Sequence, residues 1–258
     1  MVGTALSQSF EVLFRNIVPF GIIALLMTLP IFLLNLLTYQ SMFDMQQTAM
    51  DPESLNDPAA LDTYMYSVKW TFIYSGIGML LYSLAWALAT AAMSYGTYES
   101  LRGQPARLGQ CLQKGLPLVI PAIIITILWT LAISASMFLL VIPAIILAMM
   151  WYVIVPVTVV ERPGIFAAFG RSAELTRGNR WRVFGISLVA LAIGWAINLP
   201  LAVISLIFPG NAGVIAVFAW IAAAASLIVS AVVVAVVYYY LRIAKEGGSI
   251  QDIAAVFD

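Results

Sequence analysis

Charge placement constrains this chain more than any other feature. Its twelve Lys and Arg and twelve Asp and Glu make up 9% of the residues, and they cluster in short segments. Between those segments lie apolar runs long enough to cross a hydrocarbon core of about 30 Å, which takes about 20 residues of helix. With 63% of its 258 residues hydrophobic, the chain carries more apolar surface than a soluble domain can hide. The expected fold is an all-α membrane protein of six spans, a single polytopic domain over 1–258. The spans are placed at about 17–38, 70–95, 118–140, 143–160, 183–207 and 214–241. The stretch 117–160 has no charge, is too long for one span and suits two, so a break is expected at Val141-Ile142-Pro143.

Every second connection is basic, while the first is acidic and the third and fifth are uncharged. The first, 39–69, carries Asp44, Asp51, Glu53, Asp57 and Asp62 against Lys69. The second holds Arg102, Arg107 and Lys114 against Glu99, and the fourth Arg162, Arg171, Arg177, Arg180 and Arg182 against Glu161 and Glu174. Arg15, Arg242 and Lys245 flank the outermost spans. The positive-inside rule then places both termini in the cytoplasm and 39–69 outside as an extracytoplasmic loop. Tyr238-Tyr239-Tyr240 and Trp181 fall at the cytoplasmic interface, where amphipathic rings are favoured. The run 17–37 reads as an uncleaved first helix, because no basic segment precedes it within 1–14 and no small-residue cleavage pattern follows.

Three cytoplasmic segments are amphipathic at helical spacing, and each leads into a pair of spans. In 5–16, Leu6, Phe10, Leu13 and Phe14 oppose Gln8, Glu11 and Arg15. In 106–115, Leu108, Cys111 and Leu112 oppose Arg107, Gln110 and Lys114. In 164–178, Ile165, Phe166, Phe169 and Ala173 oppose Arg171, Glu174 and Arg177. An interfacial helix plus a hairpin, three times over, suggests a three-fold parallel repeat. The tail adds a fourth amphipathic helix at 249–257, after a left-handed cap at Gly247-Gly248.

Composition excludes several chemistries. No histidine is present, which removes His metal ligands and His-based acid–base or nucleophilic catalysis. Cys111 is the one cysteine, so an internal disulfide or thiolate metal cluster is excluded. No cofactor is indicated, and zero net charge gives no nucleic-acid footprint. No span carries a charge at its centre, which argues against ion coupling and leaves no acid–base pair for an intramembrane enzyme.

Two candidate sites remain. Arg171, Arg177, Arg180 and Arg182 can clamp a phosphate, most naturally a lipid headgroup. The same arginines also serve as topology-setting charge, with Glu174 pairing to Arg171 and Arg177 at three-residue spacing. Within the spans, Ala122, Thr126, Thr130 and Ser134, then Ala190, Gly194 and Asn198, then Ala222, Ser226 and Ser230 recur at four-residue spacing. They read as a polar seam for a substrate, or as small residues that let helices approach. Asn198 stands two residues before Pro200, placed to bond the carbonyl that proline frees.

The segment Val155-Pro156, Glu161-Arg162-Pro163-Gly164 and Arg171-Ser172-Ala173-Glu174-Leu175-Thr176-Arg177-Gly178-Asn179-Arg180-Trp181-Arg182 resembles a bacterial membrane family. That family is named for the membrane domain of some glycerophosphoryl diester phosphodiesterases and includes the YciC-like inner-membrane proteins. The ending, 241–258, is similar to the tail of stand-alone members. The resemblance implies a six-span bacterial inner-membrane protein and carries no established activity. The phosphodiesterase chemistry itself needs histidines and a barrel domain that this chain lacks. The sequence therefore points to a non-enzymatic membrane protein whose interfacial helices engage anionic lipids, another membrane protein or a second copy. A small transporter or lipid translocase is the alternative.

Overall fold

A computed structural model describes residues 2–50, 58–115, 117, 119–139, 141–208 and 211–247. The expected helix at 249–257 lies outside them. Among the described residues the fold is all-helical, without a strand. Five helical stretches are long and apolar enough to cross a membrane: Ile17–Leu36, Pro58–Leu101, Ile142–Val160, Arg180–Ile207 and Gly213–Glu246. A shorter apolar one, Ile123–Ser136, lies within α5 (Val119–Leu139).

The first connection differs from the expected loop. The helix α2 (Ile17–Met50) continues for 34 residues, and α3 (Pro58–Leu101) for 44. Residues 39–50 and 58–69 are thus helical. Their charges mark where the apolar stretch stops, and none of them is a residue that must end a helix. The separate amphipathic helices are present: α1 (Val2–Arg15), α4 (Leu108–Gly115) and α8 (Ile165–Thr176).

Proline places the breaks. Pro19 lacks the N–H that would bond Arg15, and the chain turns at Asn16 between α1 and α2. Pro156 likewise cannot bond Tyr152, and the fourth apolar stretch splits there into α6 (Val141–Met150) and α7 (Ile154–Val160). Across the split, the Ile154 N–H donates to Trp151 O, three residues back, at 3.2 Å. Met150 O, freed from the ladder, accepts from Ser172 Oγ at 3.0 Å and Thr176 Oγ1 at 3.3 Å. Both hydroxyls are fully buried on one face of α8, so α8 repairs the broken helix. The helix α9 (Arg180–Ile207) ends before Asn211, whose side chain caps α10 (Ala212–Glu246) by accepting from Val214 N at 3.2 Å. Gly247 closes α10 in the left-handed conformation the sequence anticipates, at φ 67°.

The core lies where α2, α3 and α10 pack together. Small residues on α3, among them Ala85, Ala89 and Ala92, are buried there and permit close approach. At Gly96 a side chain would stand 2.7 Å from the Phe20 ring and 2.9 Å from Cys111 Sγ, so α4 is seated against a bare stretch of α3. Two tyrosines depart from the expected interface position. Tyr238 and Tyr239 are buried inside the bundle, whereas Trp181 is exposed as expected. Hydropathy cannot separate a ring facing lipid from one facing a neighbouring helix. The α1 face also divides: Ala5, Ser9, Val12 and Asn16 turn inward, while Phe10 and Phe14 face out.

Candidate functional site

The segments that carry the basic charge meet at one end of the bundle. Arg15 donates to Gly103 O, joining the end of α1 to the α3–α4 turn. Asn16, 1% exposed, pins the same corner. Its Nδ2 donates to Val12 O and Ser100 Oγ, both at 2.8 Å, and its Oδ1 accepts from Ala106 N at 2.9 Å. Nothing in the sequence marks this amide, which sits at a helix junction outside every repeating pattern.

Arg171 forms a second hub. It pairs with Glu161 at 2.6 Å, Glu174 at 3.2 Å and Glu246. Tyr238 OH donates to Glu161 Oε1 at 3.0 Å, and Arg242 bonds both Tyr238 OH and Glu246. The Glu161 side chain is 15% exposed and that of Arg171 24%. Burial works against the Arg171 charge, but the hydrogen bonds with Glu161 and Glu246 outweigh it and hold its pKa above the ordinary value. This network ties the α7–α8 connection and α8 to the end of α10. Of it, the Arg171–Glu174 and Arg242–Glu246 spacings, three and four residues along one helix, are legible in the sequence, and the ties between helices are not.

The four candidate arginines therefore separate. Arg171 is turned inward as a tie between helices. Arg177 and Arg182 are exposed, Arg182 donating to Asn179 Oδ1 at 2.9 Å. Arg180 is half-buried at the start of α9, and its Nε is buried without a hydrogen-bond partner among the described residues. Trp181, between Arg180 and Arg182 in the chain, is 85% exposed, and Phe166 at the start of α8 is 81% exposed.

The polar seam separates too. Asn198 Nδ2 donates to Ser226 Oγ at 3.2 Å and to Gly194 O at 2.7 Å. The acceptor is thus Gly194 O, not the Ala196 carbonyl that Pro200 releases. Asn198, Ser226 and Ser230 line a cavity of about 660 Å³, and Thr126 lines an adjoining one of about 370 Å³. Thr130 is half-buried, Ser134 is exposed, and neither lines these two cavities.

Cys111 is fully buried, and burial pushes its thiol from the ordinary 9.0 up to about 11. A maleimide at pH 7.5 is expected to leave the folded protein unlabelled and to modify one site once the protein is denatured, as read by intact mass. The folded state holds this proton more tightly than the unfolded one. Its contribution to stability is therefore complete below about pH 9 and declines as pH rises toward 11.

Fold and site together define an all-helical membrane protein with a charged, internally braced end and cavities among its apolar helices. Residues 1–245 match the family described as a domain of unknown function (DUF7847), and the chain belongs to that family. No curated protein and no solved structure matches it.

Proposed function

We propose that this is a non-enzymatic, six-span protein of a bacterial inner membrane, with both termini cytoplasmic, that engages anionic lipid headgroups at its basic end. The observation that carries this reading is exposed Trp181 set in the chain between Arg180 and Arg182, with exposed Arg177 just before them, on a segment that the ion pairs of Arg171 tie to the end of α10. Apolar rings that enter the headgroup boundary beside cations suit an anionic surface, each cation adding about 1 kcal/mol. The resemblance to the glycerophosphodiesterase membrane-domain family fits a role at lipid and is carried as part of this proposal. A small transporter or lipid translocase is a second reading, favoured by the two cavities among the apolar helices.

Mass spectrometry of lipids retained by the gently purified protein tests the first reading. The Arg177→Ala/Arg180→Ala/Arg182→Ala variant, with Arg171 left intact, is expected to lose most of its bound anionic lipid while keeping its thermal stability. An unchanged lipid complement refutes headgroup binding at these arginines. A protein retained by wild type and lost in the variant moves the role of this end to partner binding.

A further inference from the structure

Both cavities are lined from within the apolar helices. Tyr82, Thr126, Tyr152, Asn198 and Ser226 each fall near the middle of an apolar stretch. Tyr82, Trp86 and Tyr152 belong to both linings, so the cavities share a wall. That wall depends on Pro156, because the break it forces at Trp151-Tyr152-Val153 turns Trp151 and Tyr152 into this space. Their volumes, about 370 and 660 Å³, fall in the range of ligand sites, roughly 300–1,000 Å³.

The lining selects a chemistry. Tyr82, Trp86, Trp129, Trp151 and Tyr152 give the first cavity an aromatic surface. Among the described residues, none that lines either cavity is charged. Hydrogen-bonding capacity is nevertheless left over. Among the described residues, the Tyr82 and Tyr152 hydroxyls have no protein partner, and Asn198 Oδ1 accepts nothing. Unsatisfied polar groups are costly at this depth, where bulk water is absent. The second cavity also reaches the outer surface of α9, where Leu191, Trp195 and Leu199 are exposed. A ligand can therefore enter from the hydrocarbon layer without crossing the charged end.

We propose that the joined cavities bind a neutral lipid, with an apolar chain along the aromatic wall and an uncharged hydroxyl or ester group at Tyr82, Tyr152 and Asn198. A charged headgroup is refused, because desolvating it without a counter-charge is unfavourable. The site is independent of the headgroup reading and uses none of its arginines.

The test uses the full chain in lipid nanodiscs with two photoactivatable probes, a diacylglycerol and a phosphatidylglycerol, each with a diazirine in the same acyl chain. After irradiation, the diacylglycerol is expected to label peptides covering 82–86, 148–155 and 191–202, and the phosphatidylglycerol to label outward-facing positions instead. Tyr152→Phe removes one oxygen and should lower diacylglycerol labelling about fivefold, the worth of one neutral hydrogen bond. Ala202→Trp, at an exposed position on the rim, should abolish it. Equal labelling of the cavity peptides by both probes, no labelling by either, or indifference to Tyr152→Phe overturns the proposal. Tyr152→Phe leaves the packing volume unchanged, so the test stands even if the tryptophan variant fails to fold.

Discussion

Arg171→Ala is expected to destabilise the protein by about 2–3 kcal/mol, while Arg177→Ala, six residues on, changes stability by less than about 0.5 kcal/mol. The asymmetry follows from the partners. Arg171 faces Glu161, Glu174 and Glu246, and its removal strands Glu161 in a mostly buried position with Tyr238 OH as its remaining donor among the described residues. Breaking a fully buried pair costs about 3–5 kcal/mol, and the partial exposure of Glu246 and Glu174 lowers that figure. Arg177 is exposed. Thermal unfolding in detergent separates the two, with a fall of roughly 4–12 °C for Arg171→Ala on the scale of 2–4 °C per kcal/mol. Arg171→Lys should fall between, because an ammonium cannot spread its donors over the same carboxylates in a fixed plane. Equal melting temperatures for Arg171→Ala and Arg177→Ala would dismiss the hub.

The second large effect is expected at Asn16→Ala, about 2–4 kcal/mol. One buried amide satisfies Val12 O, Ser100 Oγ and Ala106 N at once. Alanine leaves the Ala106 N–H buried without its acceptor, and each stranded group costs about 1–3 kcal/mol. Ala106 leads directly into α4, so the loss should loosen the seat of that helix. Cys111 reports this: maleimide labelling under native conditions, negligible in wild type, should become measurable in Asn16→Ala. A variant that melts lower yet keeps Cys111 shielded would place the damage elsewhere than α4.

Much of this architecture is legible in the sequence, and its unread parts share a cause. Apolar length locates the long helices, turn residues locate the α9–α10 connection, and Gly247 ends α10 as its type dictates. Hydropathy, however, reports only that a residue avoids water. It cannot say that Tyr238 and Tyr239 face other helices, or that Phe10 and Phe14 point away from them. Charge in 39–69 marks the end of the apolar stretch but not the end of the helix. The candidate site divides in the same way. Exposed Arg177 and Arg182 are where a charge cluster suggests, whereas the role of Arg171 depends on Glu246, 75 positions later in the chain. Ser172 and Thr176 carry a fainter signal, two hydroxyls four apart on one helix face, but their acceptor exists only because Pro156 has broken another helix. Four-residue spacing singles out Asn198 and Ser226 within their own helices, but not the hydrogen bond that joins them across helices.

The length of α2 and α3 has a practical consequence. Beyond their apolar stretches, 39–50 and 58–69 each extend the helix by twelve residues, about 18 Å at 1.5 Å per residue. A 28.0 kDa chain otherwise enclosed in detergent offers an electron microscope little to orient by. Helical extensions that run on past the apolar stretches would mark one end of every particle. They also give an antibody fragment a stiff epitope distant from the arginines and the cavities.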